Sequence, residues 1–166
     1  MGMDYLDQIH SMDFSCAERG LARVRLTSSL VMYRMSKAQV VLLIPVIRQL
    51  LFGCFPNDDW GDAAEESSSD FISTICGFHD EEQCQFLVLA EAPPTSDDDS
   101  GGKKNPNDIK AVGFAILTPY HNAVYVASLC VKPSHRGRGL ASQLLFEAQT
   151  LAWEWGLPAV TRSRFR

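Results

Sequence analysis

The chain has 166 residues, 46% of them apolar, with a formal net charge of −5. That length suits one domain with its own core, and the acidic balance speaks against bulk nucleic-acid binding, which needs a basic face. Cys16, Cys54, Cys76, Cys84 and Cys130 are odd in number and form no Cys-x-x-Cys pair, which disfavours a disulfide framework or zinc site and fits a reducing, cytoplasmic setting.

The N-terminal stretch carries Asp4, Asp7 and Asp13 and no apolar core segment, unlike a secretory signal. Leu6 stands where a myristoylation site has Ser or Thr. Residues 1–28 lack clean periodicity and read as an extension or a partly docked arm, ahead of a domain over 29–166. Leu30 to Met35 reads as a strand, and Ser36 as the N-cap of a helix from Lys37 to Phe55. In that helix Val41, Ile44, Ile47, Leu51 and Phe55 share a face. Pro45 either kinks it or marks a later start with Val40 to Ile44 extended. The apolar run from Val40 to Phe55 is interrupted by Pro45 and Arg48 and is short for a bilayer, so no membrane partner is expected.

Six acids and no base lie between Pro56 and Asp70, in a stretch that reads as a solvated linker or, alternatively, as an acidic patch that draws in a cationic amine. A helix from Ser69 to Gly77 and a strand from Gln85 to Glu91 follow. Residues 92–108 have the composition of a disordered loop. Two strands, 109–118 and 122–131, make a hairpin through Pro119, Tyr120 and His121. The longest helix runs from Gly137 to Trp155 and ends at Gly156 and Pro158, and Ala159 to Arg164 starts another strand.

Between the last hairpin strand and the long helix lies Leu129-Cys130-Val131-Lys132-Pro133-Ser134-His135-Arg136-Gly137-Arg138-Gly139-Leu140-Ala141. A strand passing through a glycine-rich basic turn into a helix is built to hold a phosphate. Gly137 and Gly139 allow close backbone approach, the first helical turn offers unpaired N–H groups at the positive end of the peptide dipoles, and Arg136 and Arg138 add charge. Neither Gly-x4-Gly-Lys-(Ser/Thr) nor Gly-x-Gly-x-x-Gly occurs, which separates this turn from the common nucleotide-binding patterns.

Arg136 to Ala141 resembles the acetyl-CoA signature of the GCN5-related N-acetyltransferase (GNAT) superfamily, (Arg/Gln)-x-x-Gly-x-(Gly/Ala), with Arg136, Gly139 and Ala141 on its defined positions. The resemblance implies an α+β fold with a mixed, mostly antiparallel central sheet flanked by helices. It covers residues 30–164 and omits the C-terminal third of such a domain. It further implies acetyl-CoA as cofactor, held by Leu129, Cys130, Val131, Arg136, Gly137, Arg138, Gly139, Leu140, Ala141 and Ser142. The strand holding Leu129 to Val131 is then expected to bulge and splay, freeing backbone groups for pantetheine and for the reacting carbonyl. A preset N–H there can lower the barrier by about 3 kcal/mol.

Phe55-Pro56-Asn57-Asp58-Asp59 and Ser128 to Val131 are similar to the arylalkylamine branch of that family, which implies that Phe55 and Pro56 line the amine pocket. The alternative is that Phe55 ends a core helix and Pro56 stops it. Cys130 reads as a small buried residue rather than a nucleophile. Tyr125 and Ala127 occupy the strand positions where relatives place a proton acceptor. Tyr125 is the candidate there, either orienting a water or simply packing. His79 and His121 read as exposed loop residues, and His135 as a neighbour of the phosphate. The expected activity is acetyl transfer to a small-molecule or peptide amine by direct attack in a ternary complex. The alternatives are a truncated, non-catalytic CoA-binding or partner-binding module, or a protein (lysine or N-terminal) acetyltransferase subunit. An unpaired C-terminal strand edge also suggests a homodimer.

Overall fold

The computed structural model describes residues 22–25, 29–77, 79–91 and 109–162. The segment 92–108, expected to be a disordered loop, lies outside them, as do residues 1–21 and 26–28 of the expected extension.

Six strands form one sheet in chain order: β1 (Ala22–Arg25), β2 (Leu30–Met35), β3 (Gln85–Glu91), β4 (Ala111–Tyr120), β5 (Ala123–Val131) and β6 (Ala159–Arg162). Every neighbouring pair is antiparallel except β5 and β6, which are joined by a helical crossover and run parallel. Ala22 to Arg25 form β1 and pair with Arg34 to Val31, so these four residues are docked on the sheet. Ala22-Arg23-Val24-Arg25 alternates apolar and polar residues, a short strand pattern that the reading of residues 1–28 as lacking clean periodicity passed over.

The expected first helix is divided. Helix α1 (Lys37–Val40) passes through a 3-10 turn, Val41–Leu43, into α2 (Ile44–Cys54). The Ser36 N–H donates to the Gln39 side-chain oxygen at 2.8 Å, half of a capping box. Pro45 falls at the start of α2, where its missing N–H costs no helical bond. The residues before it tighten into a 3-10 turn rather than extending. By length and composition Lys37–Cys54 could cross a membrane, yet Val40, Leu43, Ile44, Ile47 and Leu51 of this segment are all buried in the core. Helix α3 (Ser68–Cys76) is capped by the Ser67 hydroxyl, which accepts from the Asp70 N–H, and Gly77 at φ 61° ends it.

Three layers result. On one face of the sheet Tyr33, Phe86, Phe114 and Ile116 pack under α1, α2 and α3, with Phe71 and Ile72 among the contacts. On the other face Leu87, Leu89, Val124 and Val126 pack under α4 (Leu140–Glu154) through Leu144, Ala148 and Leu151. Gly113 lets α4 come close, since a Cβ there would meet Leu89 at 3.3 Å and Leu144 at 3.4 Å. Arg34 of β2 pairs with both Glu147 and Glu154, tying α4 to the sheet.

Strand β5 holds a bulge. Ile116 pairs with Ser128 while Leu117 pairs with Val126, leaving Ala127 as an extra residue. The extra residue reverses parity: Val124 and Val126 face α4 before it, and Leu129 and Val131 face α4 after it. Cys130 therefore points to the α1–α3 side, where it packs with Ala127.

Candidate active site

From the end of β5 the chain makes a 3-10 turn, Pro133–His135, anchored by the Lys132 N–H donating to Val112 O at 2.8 Å. Gly137 and Gly139 follow at φ 75° and 74°, a backbone region that side chains with a Cβ seldom enter. The helix consequently begins at Leu140, three residues later than the sequence suggested, because left-handed residues cannot sit inside a right-handed helix. Gly139 is the N-cap and brings no side chain to the first turn. The leading N–H groups of α4 have no partner within the helix, so the turn presents a row of donors at a positive helix end.

A cavity of about 300 Å³ lies against these donors. Its walls are Leu129, Cys130 and Val131 of β5, His135, Arg136, Gly137 and Gly139 of the turn, Leu140, Ala141 and Ser142 of α4, and Phe55 just after α2. Nine of the ten residues expected to hold the cofactor thus surround one space. Arg138 is exposed and outside it. A Cβ added at Gly137 or Gly139 would meet no protein atom within 4 Å. These glycines therefore answer to backbone conformation and to what occupies the cavity, not to packing.

Arg136 is held rather than free at the rim: its Nε donates to Val131 O at 3.0 Å. Its guanidinium also acts on Cys54, the last residue of α2. A hydrogen bond from the Cys130 thiol and the Arg136 charge together hold the Cys54 thiol down at about 7. The same pairing with Cys54, together with burial, pushes the Cys130 thiol up, so Cys130 stays protonated. Cys130 is buried, in keeping with a packing residue. Cys54, Cys76, Cys84 and Cys130 are all free thiols. His135 is engaged on both ring nitrogens, with the Ser134 hydroxyl at 2.9 Å and the Glu91 carboxylate at 3.0 Å.

The acceptor-side expectations divide. Phe55 lines the same cavity as the glycine turn, whereas Pro56 is exposed and lines none of it. Tyr125 lies on the far side of the bulge from the cavity, half-buried, with its ring centroid 5.0 Å from that of His79 and 5.8 Å from that of Tyr120. The sequence reading missed Cys54, and it left His79 in an exposed loop. Only the return of the chain after Gly77 could have hinted that His79 faces β5.

The family model for the Acetyltransferase (GNAT) family matches residues 45–163. No curated protein matches the chain in sequence. Among solved structures, the fold is similar to that of the aminoglycoside N-acetyltransferase AAC(6')-Iy in complex with CoA. That likeness has 18% identity and a TM-score of 0.52, over 86% of this chain and 82% of that one. An aminoglycoside acetyltransferase from an uncultured soil metagenomic sample gives 16% identity and 0.53, again over 86% and 82%. A GNAT family acetyltransferase of Staphylococcus aureus gives 12% and 0.51, over 83% and 88%.

Proposed function

Because the chain belongs to the Acetyltransferase (GNAT) family, we propose that it is an acetyl-CoA-dependent N-acetyltransferase that moves an acetyl group to an amine by direct attack in a ternary complex. The observation that carries this reading is the single cavity where the glycine turn, the open first turn of α4 and the end of β5 converge. Bound acetyl-CoA supplies the acetyl group as a reactive thioester. The protein's part is grip and orientation.

The N–H groups of Leu140, Ala141 and Ser142 hold the pyrophosphate, with Gly137 and Gly139 letting it approach the backbone. Arg136 adds positive charge while staying tied to the end of β5. Leu129 to Val131 offer strand backbone to the pantetheine arm, and Phe55 closes the apolar side. The bulge at Ala127 interrupts the β4–β5 ladder, and we assign the backbone groups it frees to orienting the reacting carbonyl. The acceptor amine then reaches β5 from the side away from the phosphate turn.

The test pairs a binding measurement with a rate. CoA should raise the melting temperature in proportion to the logarithm of its concentration above Kd. A thiol-release assay should show turnover with at least one of tryptamine, phenethylamine, spermidine, kanamycin or a lysine peptide. Normal CoA binding with no turnover on any of them would replace the enzyme reading with a CoA-binding module.

A further inference from the structure

Beyond the bulge, β5 meets a group of rings drawn from three places in the chain. Tyr125 points to the α1–α3 side, opposite to Val124 and Val126. Helix α3 ends at Gly77, and the chain turns back, with the His79 N–H donating to Cys76 O at 3.2 Å. That return sets the His79 ring 5.0 Å from Tyr125 and 6.1 Å from Tyr120. Tyr120 in turn lies 5.8 Å from Tyr125 and 4.3 Å from His121 at the hairpin tip. The group is not sealed into the core. Tyr120 is 46% exposed, and His79 and Tyr125 are half-buried.

An amine with an ordinary pKa near 10 is almost wholly protonated at neutral pH, so acetyl transfer needs a group that removes a proton. Strand β5, Ala123 to Val131, carries no carboxylate and no imidazole of its own. Imidazole is the side chain that both takes and releases a proton near neutrality, and tyrosine faces attract cations. His121 is less well placed, being exposed at the tip and, among the described residues, in ring contact with Tyr120 only. Tyr125 from β5 and Tyr120 from the hairpin face His79, and Asp80 stands next to it in its own segment. The Asp80 Oδ1 already accepts the Glu82 N–H at 3.1 Å.

Resting on the acetyl-transfer reading, we propose that His79 takes the proton from the acceptor ammonium, its ring held beside the bulged strand by Tyr120 and Tyr125. In this step the ammonium N–H bond breaks, its electron pair stays on the amine nitrogen, and the proton goes to an imidazole nitrogen, from which bulk water removes it. The tyrosine rings give the cation a face to rest on before the proton leaves.

The experiment compares His79→Gln with the wild type on the best amine of the panel, with His121→Gln as control. Wild-type kcat/KM should rise with pH and bend where the proton acceptor loses its proton. His79→Gln should lose about 100-fold and the bend with it, climbing instead toward the pKa of the amine, while its CoA-induced thermal shift is kept. A second readout needs no turnover: the His79 imidazole resonance, identified by its loss in His79→Gln, should move when tryptamine or spermidine is added without CoA. His79→Gln within threefold of wild type and with the same bend would overturn the assignment and leave acetyl transfer standing, as would loss of the bend in His121→Gln instead. A wild type that binds CoA but acetylates no amine would overturn the acetyl-transfer reading, and the role of His79 would fall with it.

Discussion

The two sides of the bulge are built from different materials. On the phosphate side, the donors belong to fourteen consecutive residues, 129–142, and to backbone atoms whose positions follow from two left-handed glycines and a helix start. On the acceptor side, His79, Tyr120 and Tyr125 are side chains brought together from the end of α3 and from both arms of the β4–β5 hairpin. A backbone site tolerates changes of side chain and is broken by changes of φ. A side-chain site has the reverse sensitivity, and it can be altered without touching cofactor affinity.

The largest effect that would break this contrast, or uphold it, is Gly139→Val. A β-branched residue at φ 74° is strained and projects its Cβ into space that holds no protein atom within 4 Å, where the phosphate would lie. CoA affinity should fall by about 100-fold or more, roughly 3 kcal/mol, and the CoA-induced thermal shift should vanish. An unchanged shift would remove the phosphate assignment.

Next in size is Arg34→Met, which leaves the largely buried Glu147 without its partner. Stability should drop by about 2–3 kcal/mol in urea unfolding, less than for a fully buried pair because Glu154 is half-exposed. The CoA Kd should stay within about threefold, since the phosphate turn does not depend on that pair. A large change in Kd would show that the grip is not local.

Phe55→Ala probes the boundary between the two sides. Because Phe55 shares the cavity with the phosphate turn, it should weaken CoA by about 5-fold, on the order of 1 kcal/mol, as seen by calorimetry. A loss confined to amine KM would return Phe55 to the acceptor side.

The smallest effect concerns Cys54. Its thiol is lowered to about 7 by the Cys130 hydrogen bond and by Arg136. The folded value lies below the unfolded one, so the stability this thiol contributes is present above the ordinary thiol range and lost as pH falls through about 7. Arg136→Gln should move the thiolate absorbance of the folded protein to higher pH. No movement would mean that Cys130 alone sets the value.

Where the sequence was legible follows the same division. The strand, turn and helix from Leu129 to Ser142 could be located because periodicity, two glycines and two arginines all lie within one local stretch. The helix start still came three residues early, since left-handed φ at Gly137 and Gly139 leaves no mark on hydrophobic spacing. Tyr125 was singled out, but its neighbour His79 is 46 residues away in sequence and meets it only through the sheet order β3-β4-β5 and the turn after Gly77. The Cys54–Cys130 pair was hidden for the same reason: it joins the end of a helix to a strand that no local pattern connects to it. Strand β1 is a different case, since Ala22-Arg23-Val24-Arg25 does alternate apolar and polar residues and was passed over for its shortness.

The single unpaired residue at Ala127 works as a phase shifter. With it in place, a ring two positions before and a thiol three positions after both project toward α1–α3, although they stand an odd number of residues apart. Deleting Ala127 would restore strict alternation and force one half of β5 to turn over. Either Tyr125 would be driven under α4 or Leu129 and Val131 would be lifted out of the α4 core. Changes of residue type at 127 are therefore far more tolerable than changes of length, and a variant shortened by one residue there should keep its composition and lose its site.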